Sequence, residues 1–287
     1  MKNQHLRHLF ELNIAILLIS TSGILGRYIS MSPPVTIWIR CIMAAIILGA
    51  FCWHKKIDLK IKHKKDWLSI IISGLFFGAH WVTYFYALHL TNVAIGMLSL
   101  FTYPIITALL EPLFFKTTLN KKHVLLGIVV LIGIYFLSPE FNIENNQTKG
   151  VLFGLISAVF YAGRNIIMKK KVANYHGSML MFYQMVVITL VLWPVLFIFE
   201  VNPTTNDWKA LLVLALVTTS IGHTLFVMSF KNFSVSAASI MSSLQPIYGI
   251  IFGILFLTEI PTSNTLIGGF LILTTVVIES FQSTKKK

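Results

Sequence analysis

Long apolar stretches alternate with short polar connections along the chain. Ten can be marked, of about 17 to 24 residues each: Leu9 to Ser30, Pro33 to Trp53, Trp67 to Leu88, Asn92 to Phe115, Lys122 to Ser138, Thr148 to Met168, Ser178 to Phe199, Trp208 to Met228, Ser234 to Leu257 and Ser263 to Phe281. Each is near the length a helix needs to cross a roughly 30 Å hydrocarbon layer. The largest connection, His54 to Asp66, has 13 residues and leaves no room for a soluble domain. The first stretch follows a basic start, yet it runs on past 20 residues without a small-x-small exit, and nine more follow. A retained helix is therefore expected rather than a cleaved signal. The pattern predicts an all-α integral membrane protein with ten transmembrane helices.

Charge sets the expected orientation. Eighteen of the 23 Lys and Arg residues fall in alternate connections and at the two ends, among them Lys55, Lys56, Lys116, Lys169 to Lys171, Lys231 and Lys285 to Lys287. The opposite connections hold only Lys149 and Lys209, beside Glu140, Glu144, Glu200, Asp207 and Glu259. Short basic loops stay in the cytoplasm, so both termini are expected there, in a cell inner (plasma) membrane. The net charge of +13 would suggest nucleic acid in a soluble protein. Here it lies in strips beside the membrane, and the expected partner of the Lys clusters is the anionic headgroups of membrane lipids, with no nucleic acid. A chain that is 56% hydrophobic and 11% charged presents no ordinary soluble surface. Cys41 and Cys52 share one stretch, which implies packing and no disulfide framework.

The chain also repeats itself. Pro104 and Pro246 are 142 apart, His80 and His223 143, Gly127 and Gly269 142, and the Gly-Arg pairs at Gly26-Arg27 and Gly163-Arg164 137. Two repeats of five helices follow, residues 1–140 (helices 1–5) and 141–287 (helices 6–10). Five is odd, so the halves must run in opposite directions. Inverted repeats suit a transporter, whose halves exchange inward-open and outward-open shapes around a central site.

Several segments resemble a known family. Pro33-Pro34 to Trp38-Ile39-Arg40, the run Ser234 to Pro246 followed by Gly253 to Glu259, and Gly268-Gly269-Phe270-Leu271-Ile272 look like the EamA branch of the drug/metabolite transporter superfamily. The resemblance covers the whole chain through the order and spacing of degenerate, mostly apolar motifs. It implies a ten-helix carrier of two EamA repeats, often an exporter of amino acids or other small metabolites. One departure is visible: Glu259 is present, but its first-half counterpart falls near Thr117.

Polar residues inside the apolar stretches are costly in lipid and mark candidate mechanism. Arg27 and Arg40 lie in helices 1 and 2 near the same side, where a pair of guanidinium groups holds a carboxylate or phosphate. The bland alternative is capping or snorkelling. Arg164 falls where the inversion places Arg27's partner, and the adjacent lysines favour an anchor over a gate. His80 and His223 are candidate substrate donors or proton-responsive groups, or satisfied packing residues. They offer no metal-ligand spacing, and neither a metal nor a cofactor is expected. Pro104 and Pro246 each remove a backbone donor inside a helix, freeing the carbonyls of Leu100 and Ser242 and kinking the helix. Tyr103 and Gln245 would then line a site near the centre, and Gln184 takes about the place of Arg40 in the second repeat. Glu111 is the one carboxylate well within a stretch, and it is a candidate inner gate with Lys116 or Arg164, or a proton carrier. The Gly74/Gly78 and Gly249/Gly253 spacings suit close helix packing.

The resulting expectation is a secondary transporter, by the resemblance an exporter, moving a small-molecule substrate by alternating access through helices 1 to 4 and 6 to 9. Helices 5 and 10 are then scaffold or a homodimer contact. A lipid flippase or accessory subunit uses the same fold logic. No nucleophile, metal set or paired carboxylates support an enzyme, and no charged ring supports a channel.

Overall fold

In a computed structural model the described residues are 2–115 and 121–284, and among them every regular element is helical. The elements are α1 (Lys2–Tyr28), α2 (Pro33–His54), α3 (Lys64–Leu90), α4 (Val93–Leu100), α5 (Tyr103–Phe115), α6 (Lys121–Leu137), α7 (Asn146–Val172), α8 (Gly177–Leu192), α9 (Thr205–Val213), α10 (Thr224–Ser229), α11 (Val235–Met241), α12 (Leu244–Leu257) and α13 (Ser263–Thr284). A 3-10 turn (Trp193–Phe197) extends α8, and a π-helical stretch (Leu214–His223) joins α9 to α10.

Among the described residues, eight helical runs are long and apolar enough to cross a membrane, and two shorter apolar helices, Val124–Leu137 and Ser263–Ile278, accompany them. Of the ten crossings expected, eight therefore reach that length among the described residues. The two short runs correspond to the expected helices 5 and 10. The 17 residues of α6 span about 25 Å at 1.5 Å per residue. Lys116 and Thr117, which the sequence offered as Glu111's partner and Glu259's counterpart, lie outside the described residues, as do Lys285 to Lys287.

Helix starts follow local chemistry. Asn92 Oδ1 accepts from the Ile95 N–H at 2.9 Å, Asn145 Oδ1 from Gln147 N–H at 2.8 Å, and Thr204 and Asp207 form a reciprocal capping box. Pro33 and Pro34 open α2, where a missing N–H costs no helical bond.

Both helices that carry a central proline are broken rather than kinked. α4 stops at Leu100 and α5 restarts at Tyr103, and α11 stops at Met241 and α12 restarts at Leu244. Pro104 and Pro246 therefore sit in the first turn of a new helix. The Ser242 carbonyl expected to be free accepts from Gln245 N–H at 2.8 Å. A third irregularity is the π stretch, where two of three consecutive hydroxyl residues bond back into the helix. Thr219 and Ser220 each donate to a carbonyl five residues earlier, Leu214 and Ala215, at 2.8 Å.

Packing joins early to late segments. α3 lies along α7, α2 along α8, α6 along α13, and α1 along α12 and the π stretch. The core is therefore built between the two parts of the chain. Its largest fully buried side chains include Trp81, Arg40, Arg164, Tyr103, Phe77 and Phe226.

Candidate functional site

Two arginines meet in the core from opposite parts of the chain. Arg40 (α2) and Arg164 (α7) are both 0% exposed. The Arg40 guanidinium lies 3.8 Å over the Trp81 ring, and that of Arg164 lies 4.0 Å over Phe77. Phe77 and Trp81 are one turn apart on α3 with ring centroids 3.9 Å apart, so the four side chains form a continuous cation–aromatic stack. His223 meets both rings edge-on, at 5.1 Å from Phe77 and 5.3 Å from Trp81.

The two cations differ in how they are satisfied. Arg164 uses every nitrogen: Nε donates to Gln184 Oε1 at 3.0 Å, Nη1 to Asn165 Oδ1 at 3.0 Å, and Nη2 to Met181 Sδ at 3.1 Å. Arg40 donates through Nε to Thr219 Oγ1 at 2.6 Å, while its Nη1 and Nη2 are buried without partners. The π stretch presents Thr219 to Arg40. No carboxylate bonds either guanidinium among the described residues.

Beside this stack is a cavity of about 20 Å³, room for about one water. His80, Trp81, Tyr84, Tyr161, His223 and Gln245 line it, with Ser22 and apolar residues. His80 stacks on Tyr161 at 4.3 Å, and its Nδ1 is 2.7 Å from Ser157 Oγ. Ser157 spends its own proton on the His80 carbonyl at 2.9 Å. The imidazole must therefore donate from Nδ1, leaving Nε2 as an acceptor. His223 Nδ1, Gln245 Nε2, Tyr161 OH and Ser22 Oγ are buried without partners. Tyr103 stands behind the wall, edge-on to Tyr161 at 4.7 Å, and its hydroxyl bonds to the hydroxyl of Ser242.

Arg27 is elsewhere. Its Nε pairs with Glu259 Oε1 at 2.9 Å and its Nη1 donates to the His89 carbonyl at 3.3 Å, while Glu259 Oε2 accepts from the Val93 N–H at 2.8 Å. This knot ties the end of α1 to the ends of α3 and α12 and the start of α4. The expected Arg27–Arg40 anion clamp is not formed, because Arg27 has its own carboxylate. At the other end of the molecule Lys169 donates to the carbonyls of Phe230 and Phe233, at 2.5 and 2.9 Å. It stands 142 residues after Arg27, and both carbonyls lie in its own part of the chain. The expected anchoring of Arg164 at the surface fails because Gln184 and Asn165 supply its partners inside. Glu111 is half-buried and does not bond Arg164.

Of the residues singled out in the sequence, the structure brings together Arg40, His80, His223, Gln245, Arg164 and Gln184, with Tyr103 one layer behind, and leaves Arg27 and Glu111 apart. Trp81, Phe77, Tyr161, Asn165, Ser157 and Thr219 were missed. The hydroxyl run Thr218-Thr219-Ser220 in an apolar stretch was a legible signal for Thr219. The aromatic residues carried none, since they read as ordinary core.

Two larger clefts are lined in part by the Thr205–Ser229 helix. One of about 600 Å³ is lined by Ile24, Tyr28, Lys209, Val213 and Phe252, and one of about 540 Å³ by Ile47, Phe51, His176, Ile221 and Met228.

Comparison with known proteins agrees with this architecture. The EamA-like transporter family matches the chain over residues 10–138 and again over 148–281. The pseudopaline exporter CntI of Pseudomonas aeruginosa (strain UCBPP-PA14) is 26% identical over 218 residues, 76% of this chain and 75% of that protein. The uncharacterised transporter YxxF of Bacillus subtilis (strain 168) is 23% identical over 249 residues, 85% of this chain and 79% of that one. A protein of known crystal structure superimposes with a TM-score of 0.72, covering 98% of this chain and 99% of that chain at 17% identity, a likeness of fold. The chain, a multi-pass membrane protein, belongs to the EamA-like transporter family.

Proposed function

We propose that this transporter exports a small metabolite across the cytoplasmic membrane by alternating access, with two inverted five-helix halves rocking about the cavity beside Trp81. The observation that carries the reading is that this polar cavity lies between the halves and is closed on both sides by contacts joining them. Arg27 and Glu259 lock one side, and Asp66, which accepts from Lys171 and from the Tyr175 hydroxyl, locks the other. A carrier needs such mutually exclusive closures, since a site closed at both ends exposes solute only when one lock opens.

The inverted halves are supported by the packing pattern. Exchanging the two halves turns α3 on α7 into α1 on the π stretch, and α4 and α5 on α7 into α1 on α12, while α2 on α8 and α6 on α13 map onto themselves. Basic connections on one side favour cytoplasmic termini. Export is favoured by the pseudopaline exporter among the relatives.

A second reading, a lipid or other amphipathic substrate, is favoured by the two larger clefts lined in part by Thr205–Ser229. One experiment separates the two. Purified protein in proteoliposomes is assayed with a pooled, isotope-labelled set of amino acids and small metabolites, with and without a pH gradient, alongside scrambling of a fluorescent phospholipid. Movement of a soluble solute that Gln245→Leu and His80→Ala each reduce at least tenfold is the expected outcome. Lipid scrambling without solute movement would replace the metabolite reading with the lipid one.

A further inference from the structure

We infer that the solute of this transporter is a carboxylate-bearing anion, and that the two free Nη groups of Arg40 are its counter-charge. The inference rests on the carrier reading above and names the class of substrate for the same site.

The argument is a balance of donors and acceptors. Arg40 is fully buried, one nitrogen is satisfied by Thr219, and two are not. A buried cation without a counter-ion is costly, and evolution normally pairs it or removes it. Arg164, at the other end of the same stack, shows how this fold satisfies a guanidinium when the charge is structural: with an amide, a second amide and a thioether. Arg40 has no such set. The orphaned atoms that line the cavity, on the wall that Trp81 shares with Arg40, have the same bias. Gln245 Nε2 can only donate, the hydroxyls of Tyr161 and Ser22 have a proton to give, and His223 Nδ1 can carry one.

What is missing is an acceptor with negative charge. A carboxylate has two oxygens in the plane that the guanidinium fork offers, about four lone-pair sites in all. Arg40 does not itself line the cavity of about 20 Å³, which it meets through Trp81, and that cavity is too small for a carboxylate in this closed state, so the halves must part for one to enter and reach the Nη groups. The cation–aromatic stack keeps Arg40 in place meanwhile, since Trp81 covers its face and Thr219 holds its Nε, leaving the Nη edge for the ligand. A neutral solute would leave the charge unpaired and pay for its burial again at every cycle.

The test uses the full chain, as wild type and as Arg40→Met, which keeps the length and apolar stem of the side chain and removes the charge. Thermal unfolding in detergent is followed with matched probes: succinate against succinamide, and benzoate against benzamide. Efflux of the same labelled probes and of the metabolite pool is measured in proteoliposomes. The expected result is that carboxylate probes raise the wild-type Tm by several degrees where the amides do not. Arg40→Met should lose that response and at least tenfold of the transport, yet unfold at the wild-type temperature or above, since it no longer buries an unpaired charge. The inference is overturned if amides and carboxylates stabilise the wild type equally, or if Arg40→Met retains the carboxylate response. An Arg40→Met protein that unfolds well below wild type and whose charge is restored in part by Arg40→Lys without any ligand response would make Arg40 structural and also overturn it. Transport of neutral solutes alone sinks the anion and leaves the carrier standing. Carboxylate binding without movement of any solute sinks the carrier and leaves the anion site.

Discussion

Thr219 illustrates how one residue ties the backbone to the site. Its hydroxyl donates to the Leu214 carbonyl and accepts from Arg40 Nε, so the π stretch and the arginine share a single oxygen. Hydrogen bonds to a charged group are worth about 1.5–3 kcal/mol. Thr219→Val, nearly isosteric, is therefore expected to lower stability by about that amount and to reduce transport at least tenfold. Unfolding and efflux assays check it, and a variant with wild-type transport would detach Thr219 from the site. The two histidines make the complementary point. They look alike in the sequence, 143 residues apart, but His80 is held by Ser157 and His223 Nδ1 is not held at all. The residue 142 before Ser157 is Ala15, which has no hydroxyl to offer. The difference between the two sites was legible only once the facing helix was known.

Among the elements, the pairing of α6 with α13 depends on the absence of side chains. A Cβ on Gly268 would come within 2.6 Å of the Gly133 carbonyl oxygen, and one on Gly133 within 3.0 Å of that of Gly268. Backbone cannot yield as a flexible side chain can, so these two helices touch through their glycines. Gly268→Ala is expected to force them apart and cost about 1–3 kcal/mol, read as a lowered unfolding temperature with transport per folded molecule largely kept. Unchanged stability would show that the pair is free to slide. The outward faces of both helices expose apolar residues such as Leu131, Tyr135, Leu266 and Phe270, as lipid contact requires. The helix spacing motifs read from the sequence, Gly74/Gly78 and Gly249/Gly253, have the side chains of Val187, Ile188, Met97 and Val93 as their nearest neighbours instead.

For the whole molecule, alternation requires that breaking one lock shift the population toward the state open on that side. Arg27 is about a third exposed, so its pair with Glu259 contributes little to overall stability. Its removal should instead change which state is populated. In an Arg27→Gln protein carrying Ser22→Cys at the cavity wall, a membrane-impermeant thiol reagent applied from the side of Glu259 is expected to label at least severalfold faster than in Ser22→Cys alone. Equal labelling would assign Arg27 a capping role only. Cys41 and Cys52 are buried and set a low background.

The sequence by itself determined that this chain is helical and crosses a membrane many times, because run length and apolar composition are local properties that lipid reads directly. It also placed the polar residues that cannot be spent on lipid, so Arg40, His80, His223 and Gln245 could be marked before any contact was known. The tertiary structure alone decided which of them meet and which are satisfied. Arg164 found Gln184 and Asn165, Arg27 found Glu259, and Arg40 found a ring and one hydroxyl. Satisfaction is a property of neighbours that range from the adjacent residue to more than 200 residues away in the chain, and no spacing along a sequence records it.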